Sequence, residues 1–300
     1  MRILFLTLSA LMSTGLIVAA PQNLDDSLQS LKDAVSKKDV AQIKTLAVQT
    51  LEAANKITSG PAPETEIDKE QVSEARDAQA YAEYALYSAA IESEPDVKLD
   101  LFATLEQESP TSKYLNDGYV YYFAALTQTG AADKIPAIAE KAIKNLPTSP
   151  AVLAELLDLA TQKNQNDKAV SYAQRLISAL AKRSKSEIMS DAEWQKKRNA
   201  MLGSAHLVVG VILAGQTHYY RADQELRAAL PLVKGDEQQM ATVLFNLGLA
   251  NYSLGSTGMN KAQVLEAIRF SQQCAAIKSR YQEQAAHNVT AMKAYAANMR

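Results

Sequence analysis

The sequence predicts an all-α protein built from helix pairs in series. Three observations carry this. Apolar residues recur at three- and four-residue steps through most of the chain, as on the buried face of a helix. Only 11 Gly and 9 Pro punctuate 300 residues, whereas a strand-rich sandwich needs a turn signal about every 8–12 residues. A helix–turn–helix plan in Asn116–Ser149 returns in Pro150–Arg183, offset by 34 residues. A repeated helix pair at such a period is the sequence mark of a stacked solenoid.

The first twenty residues read as an export signal. Met1-Arg2 is followed by an uncharged, almost wholly apolar run from Ile3 to Ala20, ending in Val18-Ala19-Ala20. A cleavable signal peptide over 1–20 is expected, leaving no stable membrane span and a periplasmic or secreted protein; an uncleaved anchor is the alternative.

Residues 24–57 then read as a helix pair split at Lys37-Lys38-Asp39, with Leu28, Leu31 and Val35 on one face and Ile43, Leu46, Leu51 and Ala54 on the next. Asp39 can cap the second helix, and Thr58–Pro63 stops it. Residues 68–183 read as further helix pairs. The first has a long helix near Asp68–Glu92, and its partner starts at Pro95 and ends before Pro110. In the two 34-residue units, Gly130 corresponds to Asn164, both tolerant of a left-handed turn. Tyr119 corresponds to Leu153, Tyr122 to Leu156, Ala139 to Ala173 and Ala142 to Leu176. Residues 184–199 read as an inter-repeat segment. Residues 200–298 supply more pairs, Leu202–Ala214 with Tyr219–Leu230 and Glu237–Gly255 with Ala262–Ile277, and a terminal capping helix over Gln282–Asn298.

These residues resemble the tetratricopeptide repeat (TPR) family. The resemblance rests on Leu244-Phe-Asn-Leu247-Gly248 followed by Gly255, and on Tyr219-x-x-Ala222-x-x-x-Leu226-x-x-Ala229. The family's aromatic is displaced, since Asn251 occupies its place and Tyr252 follows. The resemblance implies a right-handed α–α superhelix with a concave groove lined by the first helix of each pair. Carried onto this chain, its groove positions are Glu83 and Tyr87, then Asp117, Val120, Ala124, Thr127 and Gln128. Asp158, Thr161 and Gln162 follow, and then Thr242, Phe245, Leu249 and Tyr252. Tyr119, Tyr122 and Phe123 read as packing residues. Gly248, Ala139, Ala173 and Ala222 are expected where helices cross closely.

The composition points away from catalysis and nucleic acid. Net charge is −2 and no wide basic surface is evident; Lys182–Lys185 and Lys196–Arg198 read as solvated loop. His206, His218 and His287 lack metal-ligand spacing, and no nucleophile elbow, phosphate-binding loop or dinucleotide fingerprint occurs. His206 reads as a satisfied, partly buried histidine, His218 as an exposed turn residue, and the single Cys274 as core filler. No cofactor and no metal is expected. The groove positions hold no Lys or Arg cluster that would clamp a carboxylate or phosphate, so an acidic peptide is a poor candidate partner. The functional expectation is a non-enzymatic extracytoplasmic scaffold holding a protein or peptide segment in its groove. The alternatives are a structural or oligomerising solenoid contacting partners through its ends or convex face, and a cell-envelope glycan-binding protein.

Overall fold

The computed structural model describes residues 23–182 and 190–299; the expected signal segment 1–20 lies outside them. Among the described residues there are thirteen α-helices, one short 3-10 turn and no strand. The chain forms two compact units divided between Ala89 and Ala90, inside the block that the sequence reads as continuous repeats over 68–183.

The first unit holds α1 (Leu24–Ser36), α2 (Val40–Thr58) and most of α3 (Glu66–Glu92). Asn23 and Asp39 cap α1 and α2 by accepting hydrogen bonds from the backbone N–H groups of Asp26 and Gln42, which satisfies donors that a helix start leaves free. Leu31, Ala34, Ile43, Ala47, Leu51 and Ala54 are buried, as are Ala75, Ala78 and Ala82 of α3. Gln79 donates to Asn55 and to the Thr58 hydroxyl, and the Lys32 ammonium lies over the Tyr81 ring.

The second unit holds α4 (Pro95–Glu108), α5 (Lys113–Gln128), α6 (Ile135–Asn145), α7 (Pro150–Gln162) and α8 (Asn166–Lys182). It continues with α9 (Asp191–Gly215), α10 (Tyr219–Ala229), α11 (Glu237–Thr257), α12 (Lys261–Ala275) and α13 (Gln282–Ala297). Consecutive helices pack in pairs and each pair covers the next, the generic arrangement of a helical solenoid. One apolar core runs from Leu153 of α7 to Ala285 of α13. The correspondences read from the 34-residue offset hold, because Tyr119 and Leu153, Tyr122 and Leu156, Ala139 and Ala173, and Ala142 and Leu176 are all buried.

Five of the pairs share one turn. Backbone φ is positive at Lys38, Gly130, Asn164, Thr217 and Met259, each just after the first helix of a pair. In every case the next residue's N–H donates to a carbonyl five residues back: Asp39 to Ala34, Ala131 to Leu126, Gln165 to Ala160, His218 to Leu213 and Asn260 to Gly255. This is the Schellman closure, which satisfies the last carbonyls of the first helix and reverses the chain. The sequence reading located the turns but understated the helices at one of them, between α11 and α12: α11 runs two residues past Gly255, and Asn260 caps α12 directly.

The segment 184–199 differs from its expected role as a spacer. Residues 183–189 lie outside the described part, but from Asp191 the chain is helical. Ser190 and Glu193 form a reciprocal capping box, and Trp194 is 9% exposed within the core. Lys197 lies over the Tyr121 ring, and Arg198 donates to the Leu180 carbonyl. The charged run is therefore the first turns of α9. Among the described residues, α9 is also the one helix long and apolar enough to cross a membrane, with a mean hydropathy of 1.3 over its most apolar 18 residues. Gly203, Ala205, Leu207, Val209, Gly210, Leu213 and Ala214 of this helix are buried, and the helix packs against α8, α10 and α11, which accounts for part of its apolarity.

Candidate functional site: a groove across three first helices

Three successive first helices of the second unit, α5, α7 and α9, line a groove of about 500 Å³. Helix α5 contributes Val120, Ala124 and Thr127. Helix α7 contributes Ala151, Ala154, Glu155 and Asp158, and α9 contributes Ala200, Met201 and Ser204. Phe123, Leu157, Ile135 and Leu176 close its floor. The reason lies in the sequence. Phe123 and Leu157 are buried, and a helix turns by about 100° per residue, so the next positions, Ala124 and Asp158, look outward. Ala124, Ala151, Ala154, Ala200 and Ser204 of the lining are small, and small side chains leave space between neighbouring helices. The volume falls in the ordinary range of ligand sites, about 300–1,000 Å³.

The groove carries charge at one place. Glu155 and Asp158 stand one helical turn apart on α7. Burial, and then the neighbouring Asp158 charge, pushes the Glu155 carboxyl above its usual range. Among the described residues, neither carboxylate has a hydrogen bond or ion pair, and no Lys, Arg or His lines the groove. The Thr127 hydroxyl donates to the Phe123 carbonyl of its own helix at 3.1 Å.

The structure divides the groove residues projected from the sequence. Val120, Ala124, Thr127 and Asp158 line the observed groove. Asp117 is half-buried on α5 and is not among its lining residues; Gln128, Thr161 and Gln162 are exposed at the ends of α5 and α7. Glu83 is half-buried in the first unit. Tyr87, expected as an aromatic anchor, is 1% exposed and belongs to the core, since it sits among the buried positions Ala82, Ala85, Leu86 and Ala90 of α3. Phe245 and Tyr252 are also corrections. Phe245 stacks on Tyr281 at 4.5 Å and Tyr252 meets Tyr295 edge-on at 5.5 Å. Both half-buried rings therefore pack on the C-terminal part of their own chain, Phe245 on the residue before α13 and Tyr252 on α13 itself. Thr242 donates to Gln238 of its own helix, and Leu249 is half-buried. Glu155 is the functional candidate that sequence reading missed; its position one turn before Asp158 was the available signal.

His206, Cys274, Tyr119 and Glu106 have structural partners. His206 Nδ1 lies 2.7 Å from Glu225, joining α9 to α10, while His218 and His287 are exposed. Cys274 is buried, its thiol pushed up to about 11 by burial, and it donates to the Ala241 carbonyl. Tyr119 donates to Glu106 at 2.8 Å, and Lys141 pairs with the other oxygen of that carboxylate at 3.1 Å. Among the described residues no three His, Cys, Asp or Glu side chains gather as a metal site. No family model matches the sequence, and no curated protein matches it either.

Proposed function

We propose that this chain is a non-enzymatic scaffold that holds an extended protein segment in the groove across α5, α7 and α9. The single observation that carries the reading is the groove itself: three equivalent helices place small side chains over an apolar floor. Four of its lining residues are positions that the TPR resemblance marks for ligand contact. On this reading the helix pairs are degenerate TPR-like repeats of a right-handed superhelix. The apolar, charge-free stretch Ile3–Ala20 supports export to the periplasm or beyond, with anchoring by an uncleaved segment as the alternative. An extended segment suits the site because it spans several helices and fills shallow spaces between them, whereas a small metabolite needs enclosure.

The test is selection of unstructured peptides from a random displayed library on the purified chain, followed by Ala154→Trp, which fills the groove from its α7 wall. Selected peptides are expected to lose binding to the variant. Peptides that bind both proteins equally would place recognition elsewhere.

One observation favours the second reading, an oligomerising solenoid. Met259 is 83% exposed in the α11–α12 turn and Leu265 is 48% exposed on α12. Sedimentation of the chain and of Met259→Ser/Leu265→Ser distinguishes it, because self-association through this end is weakened by the double substitution.

A further inference from the structure

We propose that the segment taken by the α5–α7–α9 groove carries a cationic side chain, seated between Glu155 and Asp158 and flanked by small apolar residues. The inference rests on the groove being the recognition surface, and adds the chemistry of its occupant.

Charge complementarity makes the argument. The groove floor is apolar, and its walls are mostly alanine, valine and methionine. Two carboxylates on one helical face are the exception. A carboxylate beside apolar surface loses hydration, and a second one a turn away adds repulsion. Both effects act on Glu155 here, in that order. Glu155 is half-buried and Asp158 is exposed at the groove edge, whereas other carboxylates withdrawn from solvent are compensated. Glu106 has Tyr119 and Lys141, Glu225 has His206, and Asp223 and Glu266 share Arg227. Glu155 and Asp158 have no such partner among the described residues, and the lysine fixed nearby on α9, Lys197, is held on the Tyr121 ring. A lysine brought by the occupant would supply the missing counter-charge, and its ammonium has three donors for the two carboxylates. Its aliphatic stem would cover the alanine wall. An acidic or uncharged segment would bury this pair without compensation, which favours discrimination by charge.

The probe is a fluorescent, N-terminally acetylated and C-terminally amidated peptide of Ala and Val residues with one central lysine. It is compared with the same peptide carrying norleucine or glutamate in that place. Two variants accompany the full chain. Glu155→Gln/Asp158→Asn removes charge while keeping side-chain volume, and Ala154→Trp fills the groove. The lysine peptide is expected to bind at least tenfold more tightly than the norleucine peptide, and the glutamate peptide more weakly than either. The isosteric double variant is expected to bind lysine and norleucine peptides alike, and its retained helical melting transition shows that charge rather than folding was lost.

Equal affinity for the lysine and norleucine peptides overturns the charge inference while leaving the groove in place, provided Ala154→Trp abolishes both. Binding of both peptides that Ala154→Trp does not change overturns the groove reading as well. Failure of the lysine peptide to bind overturns the inference. So does a peptide-free dimer that Ala154→Trp dissociates, because a second copy would then be the occupant.

Discussion

Asn251 of α11 donates to Asp223 of α10 at 2.6 Å from a side chain that is 1% exposed. The same amide donates to the Leu247 carbonyl, and the Asn251 oxygen accepts from Arg227 at 3.4 Å. Arg227 in turn pairs with Asp223 at 2.8 Å and Glu266 at 3.1 Å and lies over the Phe270 ring. A buried polar cluster therefore joins α10, α11 and α12 at the position where the repeat pattern expects an aromatic ring. Asn251→Ala leaves Asp223 without one of its donors and opens space in the core. The expected cost is about 1–3 kcal/mol, read as a lower denaturant midpoint with an unchanged slope.

The close approach of α11 and α12 at Gly248 gives a second prediction. A Cβ there would stand 2.6 Å from the Ser271 Oγ, so Gly248→Leu must push the helices apart, at a cost of about 1–3 kcal/mol. Gly215, at the end of α9, has nothing within 4 Å of the same position. Gly215→Ala is expected to be neutral or stabilising by up to about 1 kcal/mol, since alanine restricts the unfolded chain and favours helix. Melting of the two variants side by side checks the placement; an unchanged Gly248→Leu midpoint would contradict it.

Alkaline pH probes the aromatic layer between α4 and α5. Burial, then the Glu106 charge, pushes Tyr122 from an ordinary 10.0 up to about 12, and burial raises Tyr119 further still. In the unfolded chain both phenols ionise near pH 10, while the folded protein retains their protons. The stability linked to Tyr122 is therefore complete below about pH 10 and is lost as pH rises towards 12. Melting temperature is expected to fall across that window, and the fall to be shallower in Tyr122→Phe. Identical pH profiles for the two proteins would contradict the assignment.

The shared turn supplies a fourth prediction. Thr217 has φ of 62°, a left-handed conformation that disfavours a β-branched side chain. Thr217→Gly relieves this strain and is expected to raise the melting temperature. At Asn164, with φ of 53°, replacement by glycine should change little, because Asn tolerates the region.

The helices were legible because their apolar spacing, capping residues and breakers agree locally: Asp39, Pro95 and Pro150 each start a helix near its expected position. The beginning of α9 was masked by its own charges. Lys196, Lys197 and Arg198 look solvated in one dimension, although Ser190 three residues before Glu193, with Trp194 beside it, marked a capped and buried start. The site was legible only in part. Val120, Ala124, Thr127 and Asp158 are among the positions carried over from the repeat-family resemblance, and they line the groove. Whether Tyr252 faces a partner or its own chain depends on where Tyr295 of α13 packs, and that is set by a contact 43 residues away. The environment of Glu155 has the same origin, since α5 and α9 form the other walls.

The most direct test of the recognition surface is an amide and methyl NMR titration of the full chain with the acetylated lysine peptide. The account predicts saturable shift changes concentrated at Val120, Ala124, Ala154, Met201 and Ser204, with little change at Met259 or Leu265. Changes centred on α11 and α12, with the groove methyls unmoved, would contradict it.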